Sequence, residues 1–301
     1  MATLKGQNFR ILTENDGDWS VIGMATNCVV TLTGNSEEAA TKDDAGLAAK
    51  PTITSKGWQV QVEALKVTDV GVFLTAVKNM TPFTLLWDKT EGTNNNETTG
   101  ASYSRTGQAY LSDFTATWND RENSVKNLTF SGTGALEEGT GPETQSPGAG
   151  AYTKGQYVRL FLSGDNTTTP LTVIGAARQL SLHVSLTLEN STTKDTTGDW
   201  VVQEPTALSY DITSGALVES GEDITSSVSG TFLEDLVYMY ENATPCKWQI
   251  ANVSGANNRT KGSIICSGSV ILTQLQINAA VKTPANYTAT MQGYGPYTVG
   301  A

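Results

Sequence analysis

Between positions 180 and 188, Leu180, Leu182, Val184, Leu186 and Leu188 alternate with Ser181, His183, Ser185 and Thr187. A period of two sends successive side chains to opposite faces, so this stretch predicts a half-buried strand with a polar outer face. The same alternation marks Trp58, Val60 and Val62, then Leu208, Tyr210 and Ile212. It recurs at Phe83, Leu85 and Trp87, and at Cys246, Trp248 and Ile250. Further strands are predicted over 9–13 and 157–162, 21–33 and 173–188, 110–117 and 270–278, and 126–131 and 287–292. Helical spacing shows at Phe73, Val77 and Met80, and again at Phe232, Leu236 and Met239. Each of these stretches ends in Asn-x-Thr-Pro, and proline both lacks a backbone donor and bars helix from the residue before it. Polar stretches at 34–55 and 189–205 predict loops longer than most compact domains use.

These predicted elements come in pairs because the chain repeats itself. Lys5-Gly6-Gln7 returns as Lys154-Gly155-Gln156, Val21-Ile22-Gly23 as Val173-Ile174-Gly175, and Thr41-Lys42-Asp43 as Thr193-Lys194-Asp195. Trp58, Val60 and Ala64-Leu65 match Tyr210, Ile212 and Ala216-Leu217, and Asn79-Met80-Thr81-Pro82 matches Asn242-Ala243-Thr244-Pro245. Both copies close on Gly-x-Gly, at Gly132-Thr133-Gly134 and Gly293-Tyr294-Gly295. Any one match is weak, but their common order and near-constant spacing predict two like domains. The boundaries read as 1–138 for the first and 151–301 for the second. A Gly/Pro-rich linker at 139–150 joins them. Each copy amounts to a mainly β barrel or sandwich with one short helix and one long loop.

Composition narrows the chemistry. Only 16% of the 301 residues are charged, against about a quarter in ordinary domains. The net charge is −11, and no Lys/Arg cluster occurs. Nucleic-acid binders need cations to displace phosphate counterions, so tight DNA binding is disfavoured. The single histidine, His183, falls on a polar phase and has no second histidine for a catalytic pair or metal cluster, so it reads as a surface or interface residue. Cys28, Cys246 and Cys266 are too few and odd for a disulfide framework; Cys246 and Cys266 either pair or stay as core thiols. There is no apolar run of about 20 residues and no apolar leader, which predicts a protein made in a cytoplasm without membrane insertion. No phosphate loop, nucleophile elbow or metal spacing occurs, so no catalytic residue, cofactor or metal is expected.

The order of features resembles the tail tube (major tail) protein family of long-tailed bacteriophages, over both copies. It runs from the Lys-Gly-Gln start through Ile22-Gly23, the Thr-Lys-Asp loop, the Trp58 strand, the helix and the Thr-Pro strand to the Gly-x-Gly close. The resemblance implies modules that pair strands with their neighbours, six to a ring, around a continuous β-barrel lumen. With two modules per chain it implies a homotrimer with pseudo-sixfold symmetry. Stacked rings would make a conduit whose acidic wall repels the DNA passing through it. The long loops would reach the adjoining ring, which makes Glu37, Glu38, Lys42, Asp43, Asp44, Glu189, Lys194 and Asp195 candidate inter-ring contacts. Implied partners are further copies of the chain and tape-measure, tail terminator and distal tail proteins. The place is a virion tail assembled in the host bacterial cytoplasm. Tubes of contractile injection systems share this kind of fold.

Two other classes compete. A carbohydrate-binding or adhesin-type pair of β-sandwiches would use tryptophans as stacking platforms, but Trp58, Trp87 and Trp248 lie on apolar phases and read as core. A glycosidase would need a recognisable pair of carboxylates, and none stands out.

Overall fold

The computed structural model describes residues 5–15, 18–23, 25–38, 50–65, 70–91, 97–139, 153–163, 171–196, 198–218, 233–255, 258 and 260–300. The first half contains β1 (Phe9–Asn15), β2 (Asp18–Val21), β3 (Ala25–Glu38), β4 (Pro51–Ala64), α1 (Val70–Asn79), β5 (Phe83–Glu91), β6 (Glu97–Thr98), β7 (Arg105–Asn119) and β8 (Val125–Glu138). The second contains β9 (Val158–Leu162), β10 (Thr172–Val173), β11 (Ala177–Asn190), β12 (Gln203–Leu217), α2 (Leu233–Asn242), β13 (Cys246–Ser254), β14 (Thr260–Asn278), β15 (Asn286–Gly293) and β16 (Thr298–Val299). Short 3-10 turns at Gly6–Asn8 and Gly155–Tyr157 lead into β1 and β9.

Hydrogen-bonded neighbours follow one order in both halves. It is β2-β1-β5-β7-β8-β4-β3 in the first and β10-β9-β13-β14-β15-β12-β11 in the second, all antiparallel. The halves join where β11 pairs with β7, from Gln179↔Asn119 to Ser185↔Asp113. On this edge β7 serves two partners, β5 along 105–109 and β11 along 113–119. A bulge beside Ser112 separates the two segments, and its hydroxyl donates to the Thr129 carbonyl at 3.1 Å. The matching bulge in β14 has Thr273 donating to the Thr290 carbonyl at 3.1 Å. An extra residue bends the strand, which lets one strand turn from one sheet into another.

The main core runs through both halves without a break. Trp58, Phe73, Leu74, Phe114 and Phe130 share it with Leu180, Tyr210, Trp248 and Tyr297. Helix α1 faces this core with Phe73, Leu74 and Val77, and the Tyr297 hydroxyl from the other half donates to the Leu74 carbonyl at 2.6 Å. The Gly-x-Gly closes have a packing cause. A Cβ on Gly132 would sit 2.2 Å from the Trp58 ring, and one on Gly293 would sit 2.5 Å from the Tyr210 ring. The second glycine of each, Gly134 and Gly295, takes φ of 74° and 77°, a region costly for residues with a Cβ. Cys28, Cys246 and Cys266 are free thiols, so the pairing alternative falls.

Several boundaries differ from the sequence pattern. The stretches 21–33 and 173–188 are not single strands. A turn at Ile22–Gly23 separates β2 from β3, and one at Gly175–Ala176 separates β10 from β11. The loop predicted at 34–55 is largely a hairpin, with β3 continuing to Glu38 and β4 starting at Pro51. Its residues 34–38 and 51–54 are exposed, so the arms project beyond the core. With water on both faces no hydrophobic alternation is required, and the pattern was silent there. Likewise β11 and β12 narrow the second connection to 191–202. Met80 is not helical; like Ala243 it is the left-handed residue that ends its helix, with φ of 56° and 47°. Phe232 and the linker stretch 140–150 lie outside the described residues.

Candidate assembly surface

Eight strands lie edge to edge in the order β3-β4-β8-β7-β11-β12-β15-β14. One face packs the core. The other carries hydroxyls and amides, such as Thr31, Gln61, Thr129, Thr115, Ser181, Thr213, Thr290 and Gln276. Among the described residues, strand alternation places Glu37, Glu63, Asp113, His183, Glu189, Glu204 and Asp211 on it, and no lysine or arginine stands at an alternating position facing it. Acids outnumber bases on this face, so it is polar with a negative balance.

His183 stands at the seam between the halves. From β11 its Nδ1 lies 2.8 Å from Oδ1 of Asp211 on β12, and its Nε2 lies 2.7 Å from Oδ2 of Asp113 on β7. A carboxylate only accepts, so both contacts are satisfied together when both ring nitrogens carry protons. Burial pulls the His183 pKa down, but the hydrogen bonds and charges of Asp113 and Asp211 outweigh it and raise the value above that of ordinary histidine. Both nitrogens are engaged at hydrogen-bond length, leaving no room for a metal ion and no free nitrogen for a nucleophile. No group of three metal-ligating side chains occurs among the described residues. The interface reading of His183 is thereby given partners. Asp113 and Asp211 were not legible, because their approach depends on strand register.

The seam is apolar on its inner side, where Leu180 faces Trp118, Leu182 faces Ala116 and Val184 faces Phe114. All six are buried. At the two ends of the eight-strand row the corresponding edges have no further strand among the described residues. There β3 pairs only with β4, and the distal part of β14 has β15 on one side and no described strand on the other. Leu32 on β3 corresponds to Val184, since they face the equivalent Trp58 and Tyr210; Leu32 is 64% exposed and Val184 1%. Ile277 on β14 corresponds to Ala116 and is 51% exposed.

Of the predicted loop residues, Glu37 and Glu38 are exposed on the β3 arm and Glu189 is exposed near the end of β11. Lys194 and Asp195 lie in an exposed turn. Lys42, Asp43 and Asp44 lie outside the described residues. The base of the 191–202 connection turns back onto the first half of its own chain. There Lys56 pairs with Asp199 at 3.3 Å, and the Gly134 and Lys56 backbones bond to Val201 and Asp199. Trp58, Trp87, Trp118 and Trp248 are buried, which removes them as sugar-stacking platforms.

No family model and no curated protein match the chain. Among solved structures, it is similar to a chain from the tail of an empty gene transfer agent particle refined with C6 symmetry. That match has 14% identity, a TM-score of 0.38, and covers 50% of this chain and 99% of the other. A chain of the native gene transfer agent virion matches at 12% identity and a TM-score of 0.37, over 50% of this chain and 99% of its own length. The SPP1 tail tube matches at 12% identity and a TM-score of 0.34, over 49% of this chain and 78% of that one.

Proposed function

We propose that the chain is a structural, non-enzymatic protein of a virion tail. In this reading two domains, 1–138 and 151–301, act as successive modules of a ring. Three chains close it, and rings stack into a tube that conducts DNA. One observation carries the reading. The strand joint found once inside the chain has both of its halves left open at the chain's two ends, β3 on one side and distal β14 on the other. Unlike edges at opposite ends of one molecule make a head-to-tail interface, which closes into a ring or runs on as a filament. Closure removes the hazard of exposed strand edges. The number three comes from the six-module ring that the sequence resemblance implies. The eight-strand polar face would then line the lumen, and its lack of lysine and arginine suits passage of DNA without capture. Tape-measure, tail terminator and distal tail proteins are the expected partners. The loop residues around Glu37, Lys42 and Lys194 are the proposed contacts between rings.

Native mass measurement and electron-microscopy averaging of the purified chain test this. The expected particles are rings of three chains with six similar lobes, stacking as concentration rises. A chain that stays monomeric at high concentration under all conditions overturns the reading.

A further inference from the structure

The seam inside the chain specifies the seam between chains, residue by residue. The geometry points to a second copy laying its β3 antiparallel along distal β14, with Cys28 opposite Ala279, Val30 opposite Ile277 and Leu32 opposite Leu275; this rests on the ring reading above. Strand equivalence supplies the register. Cys28, Val30 and Leu32 face Val62, Val60 and Trp58, as Leu182 and Val184 face Ile212 and Tyr210. Leu275 and Ile277 face Ala289 and Tyr287 beyond the Thr273 bulge, as Phe114 and Ala116 face Leu128 and Lys126 beyond the Ser112 bulge.

Two further contrasts between the halves place the same second copy there. In the second half a groove lined by Gly155, Gln156, Arg159, Gln179 and Leu180 is closed by Trp118 and Asp120 of the first half, leaving about 20 Å³. Among the described residues, the equivalent groove of the first half, along Gly6, Gln7, Arg10, Asn27 and Cys28, stands open at about 500 Å³. The repeated glycines behave accordingly. A Cβ on Gly155 would lie 2.2 Å from the Asn119 carbonyl oxygen, whereas no described residue lies within 4 Å of one on Gly6. The Gly155 amide also donates to Glu122 at 2.8 Å across the seam. A second copy in this register brings Gly6 against Ala280 and covers Val281, now 89% exposed. The Lys-Gly-Gln repeat is thereby explained: each glycine lets one module's backbone touch the turn of the module before it.

The polar side of the two seams differs. Thr31, Gln59 and Gln274 stand where His183, Asp211 and Asp113 stand inside the chain, so the seam between chains has no charged clamp.

Four variants of the full chain test the register. Directly opposed residues of an antiparallel pair have Cα atoms about 4.5–5.5 Å apart, within the span of a disulfide. Mild oxidation of Ala279→Cys should therefore link it to the native Cys28 of the next copy. The product is a reducible covalent ring, absent when Cys28→Ser is added. Asn278→Cys points to the opposite face and should link at most about a tenth as well. Gly6→Val should unfold like the unsubstituted chain yet need at least about tenfold more protein to assemble. Rings that link through Asn278→Cys, or not at all, or that tolerate Gly6→Val, overturn the register while the ring reading stands. An unsubstituted chain that never assembles overturns both.

Discussion

His183 carries a titratable charge at the joint between the halves, where it meets Asp113. Its pKa is raised in the folded protein by Asp113 and Asp211. A raised pKa means the folded state holds the proton more tightly. The stabilisation is complete below the ordinary histidine value of about 6.5 and is lost as pH climbs through the folded value. The unfolding temperature should therefore fall as pH rises above about 6.5. His183→Thr, which copies Thr31, leaves no imidazole to titrate in that window. Thermal unfolding of both proteins across it should give profiles that converge toward the alkaline end, and parallel profiles would refute the clamp. Gly132 is a second residue with a sharp expectation. Adding a methyl forces Trp58 out of its place, so Gly132→Ala should lower stability by about 1–3 kcal/mol in urea titrations.

Among the elements, the helices show a local conflict that tertiary structure overrode. Met80 and Ala243 hold positive φ just after α1 and α2, although neither is glycine. A left-handed residue with a Cβ costs about 1–2 kcal/mol, partly offset by the greater chain entropy of glycine when unfolded. Ala243→Gly should therefore raise stability by up to about 1 kcal/mol, and equilibrium unfolding measures it. The long strands were legible wherever one face met the core, as at Trp58, Val60 and Val62. They were illegible in the 34–38 and 51–54 arms, where both faces meet water. The bulges at Ser112 and Thr273 were also invisible, because a single extra residue changes the phase of alternation without changing its composition.

The whole molecule has one polar face on which acids outnumber bases among the described residues. Affinity for duplex DNA grows with each phosphate neutralised, so assembled protein should retain none at about 0.15 M salt. The equivalent pair Thr115→Lys and Gln276→Lys puts cations on that face, and co-sedimentation should then show retention that weakens steeply with salt. Retention by the unsubstituted assembly would contradict the assignment of this face to the lumen. Burial of an unbroken core through both halves also argues for one cooperative unfolding transition, which calorimetry can check.

By themselves, the residues in order determined the strand-rich class, the paired elements and the repeat, because burial against a core forces a period of two and a duplicated pattern survives drift. They also determined that the tryptophans on apolar phases pack inside. Only folding decided which edges meet and which stay bare. Strand pairing joins residues far apart in the chain through backbone groups that every residue carries, so no side-chain pattern announces it. The meeting of His183 with Asp113 and Asp211, the two-sided service of β7 and the contrast between Gly6 and Gly155 all arise from that pairing.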